Sequence, residues 1–431
     1  MLLTALLLSA VMPYVRDLHL LLALRVLHGF SGGALIPLLM MSCLRFLPPP
    51  IRLHGLAVFA LVATFSPNVA LWLAALWVDR LEDWRLVYWH VLPVGLAAAA
   101  LVAWGIPKLP LALPRLKQAN WFGMGLGVPG LMLLVVGVDQ GVRLDWFHSP
   151  LIVAALLTGL VFTTLFLASE WGHPAPFNRL QLLERRNVWL GFVSLAVLLM
   201  VMATAVTLPA NVLGQLQGFR MEQSAAIGLI VGLPQLVLGP FVALLLYQRW
   251  VDARHVFAAG LACMAAGCWL AASITSEWMV QQFMWAEILQ AVGQPMAMVA
   301  LLFLVTSVVQ PMEGPFLAGM VNIVRVFSAT VGGAVIGQLT AVRSRFHTEM
   351  LLDRAGQLLP RIGPSDTAQE TLAATVAQQA SVLTTADIYR VFAVLAVLLI
   401  PAVLKLQHIP APVVNRTPRN APPAAPAGAT S

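Results

Sequence analysis

Long apolar stretches separated by short polar turns run through almost the whole chain of 431 residues. Twelve such runs can be traced, at about 1–15, 18–44, 54–79, 86–107, 121–141, 150–170, 188–213, 224–248, 254–275, 279–309, 315–342 and 387–406. Most reach the roughly 20 residues that a helix needs to cross a bilayer. Backbone amides cannot stay unpaired in lipid, and alternating strands of about ten residues are absent, so the runs predict helices. The expectation is an all-α polytopic membrane protein with about 12 transmembrane helices. The first run is the short one, meeting Pro13 and Arg16 early. About 15 residues cover some 22 Å of a hydrocarbon core near 30 Å. It lacks the basic start of a secretory signal, and Arg16-Asp17 leads straight into the next apolar run, so it reads as the back end of a helix whose front is missing.

Composition narrows the class. Apolar residues make up 60% of the chain and charged ones 10%, against about 25% charged in soluble domains. A soluble enzyme, a disordered chain and a nucleic-acid-binding domain are excluded. The net charge of +7 is spread a few residues per loop, as in membrane topogenesis. With the N-terminal end of the first run on the cytoplasmic side, ten basic residues fall in short inside loops: Arg45, Arg52, Lys108, Arg115, Lys117, Arg179, Arg185, Arg186, Arg249 and Arg254. Five fall outside: Arg16, Arg80, Arg85, Arg143 and Arg220. This bias predicts a cytoplasmic C-terminus. Cys43, Cys263 and Cys268 sit in apolar runs and give no disulfide framework. No metal-ligand spacing and no catalytic constellation stands out, so neither an enzyme nor a bound cofactor is expected.

Polar residues inside apolar runs are candidate functional positions, because charge in a bilayer is costly. Arg25 lies early in the second run, with Gly29 and Gly33 one turn apart after it. It is expected either in a polar cavity with an acid or substrate, or bonded to neighbouring carbonyls. Glu287, Gln290 and Gln294 recur at helical spacing, placing three polar groups on one face that cannot face lipid. Glu287 is the candidate protonatable group, with an interfacial salt bridge as the alternative. Asn322 and Arg325 share a face in the eleventh run. Gln235 and Asn68 are weaker cavity candidates, and Asp79 reads as an ordinary interfacial charge. The stretch Gly123-Met-Gly125-Leu-Gly127 reads as a helix-packing face rather than a phosphate loop.

The order of these elements resembles the major facilitator superfamily, and within it the 14-span drug:proton antiporter branch of multidrug exporters. LRVLHGFSGGALIP resembles the branch's fourth helix. DWRLVYWHVLPVG (83–95) is similar to the entry into its sixth, and LDWF (144–147) to the turn between its two extra central helices. FNRLQLLERRNVWLG (177–191) resembles the loop that follows, and the tenth and eleventh runs its Gln-Gly and Asn-x-x-Arg helices. Each motif is weak alone; together they cover the chain to about residue 406.

The resemblance implies a major facilitator fold of the 14-span type lacking its first two helices. An incomplete first bundle would occupy 1–107, equivalent to helices 3–6. A linker with two extra transmembrane helices would occupy 108–186, and a six-helix bundle 187–409 with a long outer loop, partly helical, at 343–386. A disordered cytoplasmic tail would occupy 410–431. The implied activity is export of small amphipathic molecules from a bacterial inner membrane, driven by the proton gradient, with a periplasmic adaptor and an outer-membrane channel as partners. Arg25, Glu287, Gln290, Gln294, Asn322, Arg325, Gln235 and Asn68 would form the substrate and proton pathway. One departure weakens the antiport expectation. Where the branch has Gly-Pro-x-x-Gly-Gly, this chain keeps Pro67 upstream and reads Ala70, Leu71 and Ala74-Ala75. A non-transporting membrane remnant and an importer of the same fold remain the alternatives.

Overall fold

The computed structural model describes residues 1–106, 117–356 and 366–412. The expected tail from residue 413 onward, Lys108 and Arg115 lie outside the described residues. Eleven helices among the described residues are long and apolar enough to cross a membrane. The first run is the exception. It forms α1 (Leu2–Val11) and a 3₁₀ turn at Met12–Tyr14, where Pro13 withholds its N–H.

The first group of helices comprises α2 (Leu18–Phe46), α3 (Pro49–Ala60), α4 (Phe65–Ala75), α5 (Leu86–Trp89) and α6 (Val91–Gly105). Asp17 opens α2 by accepting the Leu20 amide at 2.7 Å. The run expected at 54–79 is not one regular helix. Pro67 cannot donate a backbone bond and crowds the turn before it, and the chain breaks between Ala60 and Phe65. After α4 the backbone widens into a π-helical turn at Leu76–Arg80.

The central pair is α7 (Trp121–Gly141) and α8 (Pro150–Gly172). Its glycines serve packing. A Cβ at Gly130 would stand 2.9 Å from the Thr163 amide nitrogen, and one at Gly159 3.0 Å from the Gly130 carbonyl. The two backbones therefore touch, as small residues allow in membranes. Two left-handed residues, Asp145 and Trp146, reverse the chain between them. The Trp146 indole then donates to Gln338 Oε1 at 2.7 Å and docks the pair on the second bundle.

The second bundle comprises α9 (Arg186–Met202), α10 (Thr204–Gln217), α11 (Met221–Ala225), α12 (Ile227–Leu246), α13 (Ala253–Ala271), α14 (Val280–Thr306), α15 (Gly314–Gly356) and α16 (Asp366–Leu404). Its core packs around α14, which is buried along nearly its whole length from Ala286 to Thr306. Gly260 on α13 and Gly293 on α14 face each other; a Cβ at Gly293 would meet the Gly260 carbonyl at 2.6 Å.

The segment at 343–386, expected as a loop partly helical outside the membrane, is helix throughout its described residues. Residues 343–355 and 366–386 contain neither Pro nor Gly and are rich in Ala, Leu, Arg and Gln, which favour helix however polar the surroundings. The helices α15 and α16 thus run on past the apolar stretches. Asp387 joins them, receiving His347 Nε2 at 2.9 Å and Arg343 Nε at 3.3 Å.

At the other end of the second bundle, Asp252 caps α13 through the Arg254 amide at 2.9 Å and pairs with the Arg254 guanidinium at 2.6 Å. Arg254 also donates to the Leu406 carbonyl at 3.2 Å, and His408 stands 3.2 Å from the same carboxylate. Burial pushes the Asp252 carboxyl up, but the hydrogen bonds and charge of Arg254, helped by His408, outweigh it and hold it at about 2. An unfolded Asp titrates near 3.9. A depressed folded value stabilises above the unfolded one, and that contribution disappears as pH falls from about 4 towards 2. The melting-temperature gap between the parent chain and Asp252→Asn is therefore expected to be full at pH 5 and to close in that window. A gap independent of pH would contradict this assignment.

Candidate functional site

The site is built where α4, α12 and α14 cross. Gln294 Oε1 accepts from Asn68 Nδ2 at 3.0 Å and from Gln235 Nε2 at 2.8 Å. Asn68 also donates to the Thr64 carbonyl at 2.5 Å. These amides come from three distant stretches of sequence and join the two helix groups. All three residues are buried. Gln235 Oε1 and Gln294 Nε2 have no protein partner. Leaving such atoms bare in the interior costs about 1–3 kcal/mol each, so the junction keeps hydrogen-bonding capacity for a water or a ligand.

Glycines make the crossing possible. A Cβ at Gly228 on α12 would collide with the Asn68 carbonyl oxygen, and one at Gly232 would stand 2.6 Å from Val69 Cγ2. Both ends of this contact are tied. At one, Asp79 Oδ2 accepts the Glu222 amide at 2.9 Å, so the first group caps the start of α11. At the other, the Tyr247 hydroxyl donates to the Pro50 carbonyl at 2.6 Å.

The polar face of α14 divides along its length. Gln294 serves the junction, whereas Gln290 and Glu287 turn into the second bundle. Gln290 Nε2 donates to Cys268 Sγ at 3.3 Å, and Thr204 Oγ1 lies 3.6 Å from the same sulfur. Glu287 is 1% exposed, and its Oε2 has no protein partner. It stands within electrostatic reach of Cys268 and Tyr389, and the Tyr389 hydroxyl is also buried without a partner. No cation pairs with Glu287 among the described residues, so the interfacial salt bridge considered from sequence is not what holds it.

Asn322 and Arg325 line a narrow apolar cleft of about 20 Å³ between the two groups, walled by Ile36, Phe59, Leu195, Met298 and Leu302. Asn322 Nδ2 donates to the Gly33 carbonyl at 3.4 Å, and Arg325 donates to Asn322 Oδ1 at 3.2 Å. Arg325 Nε is buried and unpaired. Arg25 stands apart from all of these: it is exposed, donates to the Tyr88 hydroxyl and stacks 5.0 Å from that ring. Among the described residues neither a buried acid nor a polar cavity surrounds it.

Sequence reasoning missed Tyr389, Cys268, Thr204 and the capping role of Asp79. Tyr389 carried a usable signal, as one of only four tyrosines and at the start of the last apolar run.

No family model matches the chain. Fatty acid resistance protein FarB of Neisseria gonorrhoeae is 25% identical over 405 residues, covering 90% of this chain and 78% of that protein. Multidrug export protein EmrB of Escherichia coli is 22% identical over 346 residues, covering 80% of this chain and 67% of its own length. The chain is related to major facilitator exporters. Colistin resistance protein EmrB of Acinetobacter baumannii is a further relative, 23% identical over 324 residues; the chain spans 62% of that protein's length. These relatives are transporters, not enzymes. The all-helical architecture, the eleven candidate spans and the inward-facing polar groups agree with that kinship.

Proposed function

We propose that the chain is a secondary transporter exporting small amphipathic molecules by alternating access, driven by the proton gradient. The junction of Asn68, Gln235 and Gln294 supports this reading most directly. It is a buried polar contact between two helix groups, with bare hydrogen-bonding atoms where the groups would have to part. Broken and proline-bearing helices meet there: α3 and α4 are interrupted, and α12 and α14 contain Pro234 and Pro295. Discontinuous helices at the midplane are the usual material of transport sites.

In this reading Glu287 takes and releases the proton, with Tyr389 and Gln290 beside it. Asn322 and Arg325 line the substrate path, and Arg25 holds charge at the edge of the first group. The relatives' names, multidrug export and fatty acid resistance, support an amphipathic cargo. The face carrying Arg52, Arg185 and Arg254 is cytoplasmic in a bacterial inner membrane. The described helices α2 to α16 correspond to the fourth span onward of a 14-span carrier, with α7 and α8 as the extra central pair. An adaptor and an outer-membrane channel complete the export route.

Inside-out vesicles containing the protein test the core of this. An imposed inward-acid gradient should drive saturable uptake of a fluorescent amphipathic dye, and an uncoupler should collapse it. Uptake that ignores the gradient would remove proton coupling. Dye movement in the opposite direction would favour import.

A further inference from the structure

A second pocket lies between the two helix groups at the basic face. It measures about 280 Å³, close to the roughly 300 Å³ at which ligand pockets begin. Leu44, Leu53 and Leu56 from α2 and α3 form one wall, and Phe303 and Ile409 form the other. Its single charged lining residue is Arg52. This guanidinium has no ion-pair partner among the described residues. Its Nη2 reaches only the Leu47 carbonyl at 3.5 Å, and its Nε is buried with no partner at all. The hydroxyls of Thr306 and Ser307 border the pocket but donate back to their own helix, at 2.7 Å and 2.6 Å, leaving their oxygen lone pairs and not their protons free.

An apolar cleft with one half-buried, unpaired cation at its mouth has a defined chemical complement. A neutral apolar molecule would leave the guanidinium bare, and a cation would be repelled by it. A polyanion would meet only one positive charge and an apolar wall. A monoanion with a hydrocarbon tail satisfies both parts: a carboxylate accepts from the guanidinium in a charge-assisted bond, and the tail covers the leucines and Phe303.

We propose that this pocket is the entry site for an amphipathic monocarboxylate, held by Arg52 before the two helix groups rearrange. The placement at the cytoplasmic mouth rests on the orientation given under the proposed function; the binding chemistry does not.

The test is equilibrium binding of dodecanoate to the full chain in nanodiscs, with no gradient applied, measured against empty discs. Dodecanol, of equal length and no charge, is the control. Saturable dodecanoate binding is expected. Arg52→Ala should weaken it about tenfold, the scale of a lost charged hydrogen bond, and Arg52→Lys only a few-fold, since the charge remains while the planar fork is lost. Binding of dodecanol should not change. A photoreactive dodecanoate should label residues around Leu56 and Phe303, and Arg52→Ala should suppress that labelling. Equal dodecanoate affinity in the parent chain and Arg52→Ala, or labelling confined to other surfaces, would overturn the proposal. Arg52-dependent binding without gradient-driven uptake would leave this site standing and sink the transport cycle instead.

Discussion

Glu287→Gln is expected to abolish gradient-driven transport while leaving the protein folded and able to bind its cargo. The substitution keeps shape and volume and removes only the exchangeable proton. The site receives it without obvious penalty, because Glu287 Oε2 has no partner to lose and no cation is left unpaired. Rates of coupled uptake should fall by at least two orders of magnitude, the usual scale for losing a proton-transferring group. Downhill exchange of cargo, measured with no pH difference, should persist. Persistent coupling in the variant would remove Glu287 from the mechanism. Loss of both activities would assign it to folding instead. Tyr389→Phe makes a useful comparison. Its hydroxyl is also bare, so a purely structural role predicts little change, whereas a part in proton movement predicts slower coupled uptake with intact exchange.

Gly228→Val is expected to do comparable damage by a different route. The missing Cβ at this position is what lets α12 lie against the Asn68 carbonyl. The obstacle is backbone, so no rotamer change relieves it. Shortening the opposing side chain with Asn68→Ala should not rescue the variant. Overpacking of this kind costs about 1–3 kcal/mol, and here the cost falls on the contact between the two helix groups. The Gly260–Gly293 packing that holds α13 to α14 is untouched. The variant should therefore remain monodisperse with a modestly lower melting temperature, yet lose more than tenfold in transport. Transport at the parent rate would show that the close approach of α12 to α4 is dispensable.

The spans were legible in the sequence because lipid imposes one rule on every crossing segment. The ends and interruptions were less so. The gap read at 343–386 came from polarity, but polarity only marks where the lipid stops. Helix continues until a breaker, and no Pro or Gly occurs between Arg343 and Ala355. The break at residues 61–64 went unread for the converse reason: its residues are as apolar as the helices on either side.

The candidate residues show a similar division. Spacing placed Glu287, Gln290 and Gln294 on one face. It could not reveal that Gln294 meets Asn68, 226 positions away, while Glu287 lies within electrostatic reach of Tyr389. Partners distant in sequence are set by how helices cross, and no single helix encodes that. Arg25 shows the same limit. Its place within an apolar run left an acid, a substrate or a neighbouring carbonyl open as its partner, because a run carries no information about which neighbours surround each turn. Tyr88 supplies a hydroxyl there.

The extension of α15 and α16 past their apolar segments has a mechanical consequence. Beyond His347, the last residue held at the Asp387 node, the helix α15 runs on to Gly356, about 14 Å at 1.5 Å per residue. Clamped to α16 by Arg343 and His347, the two form a stiff projecting arm rather than a pliant strap. An arm of that length magnifies rotation: a tilt of about 10° in the bundle sweeps its tip roughly 2.5 Å. On the transport reading proposed above, motion among the buried amides would be carried outward to the tip of this arm.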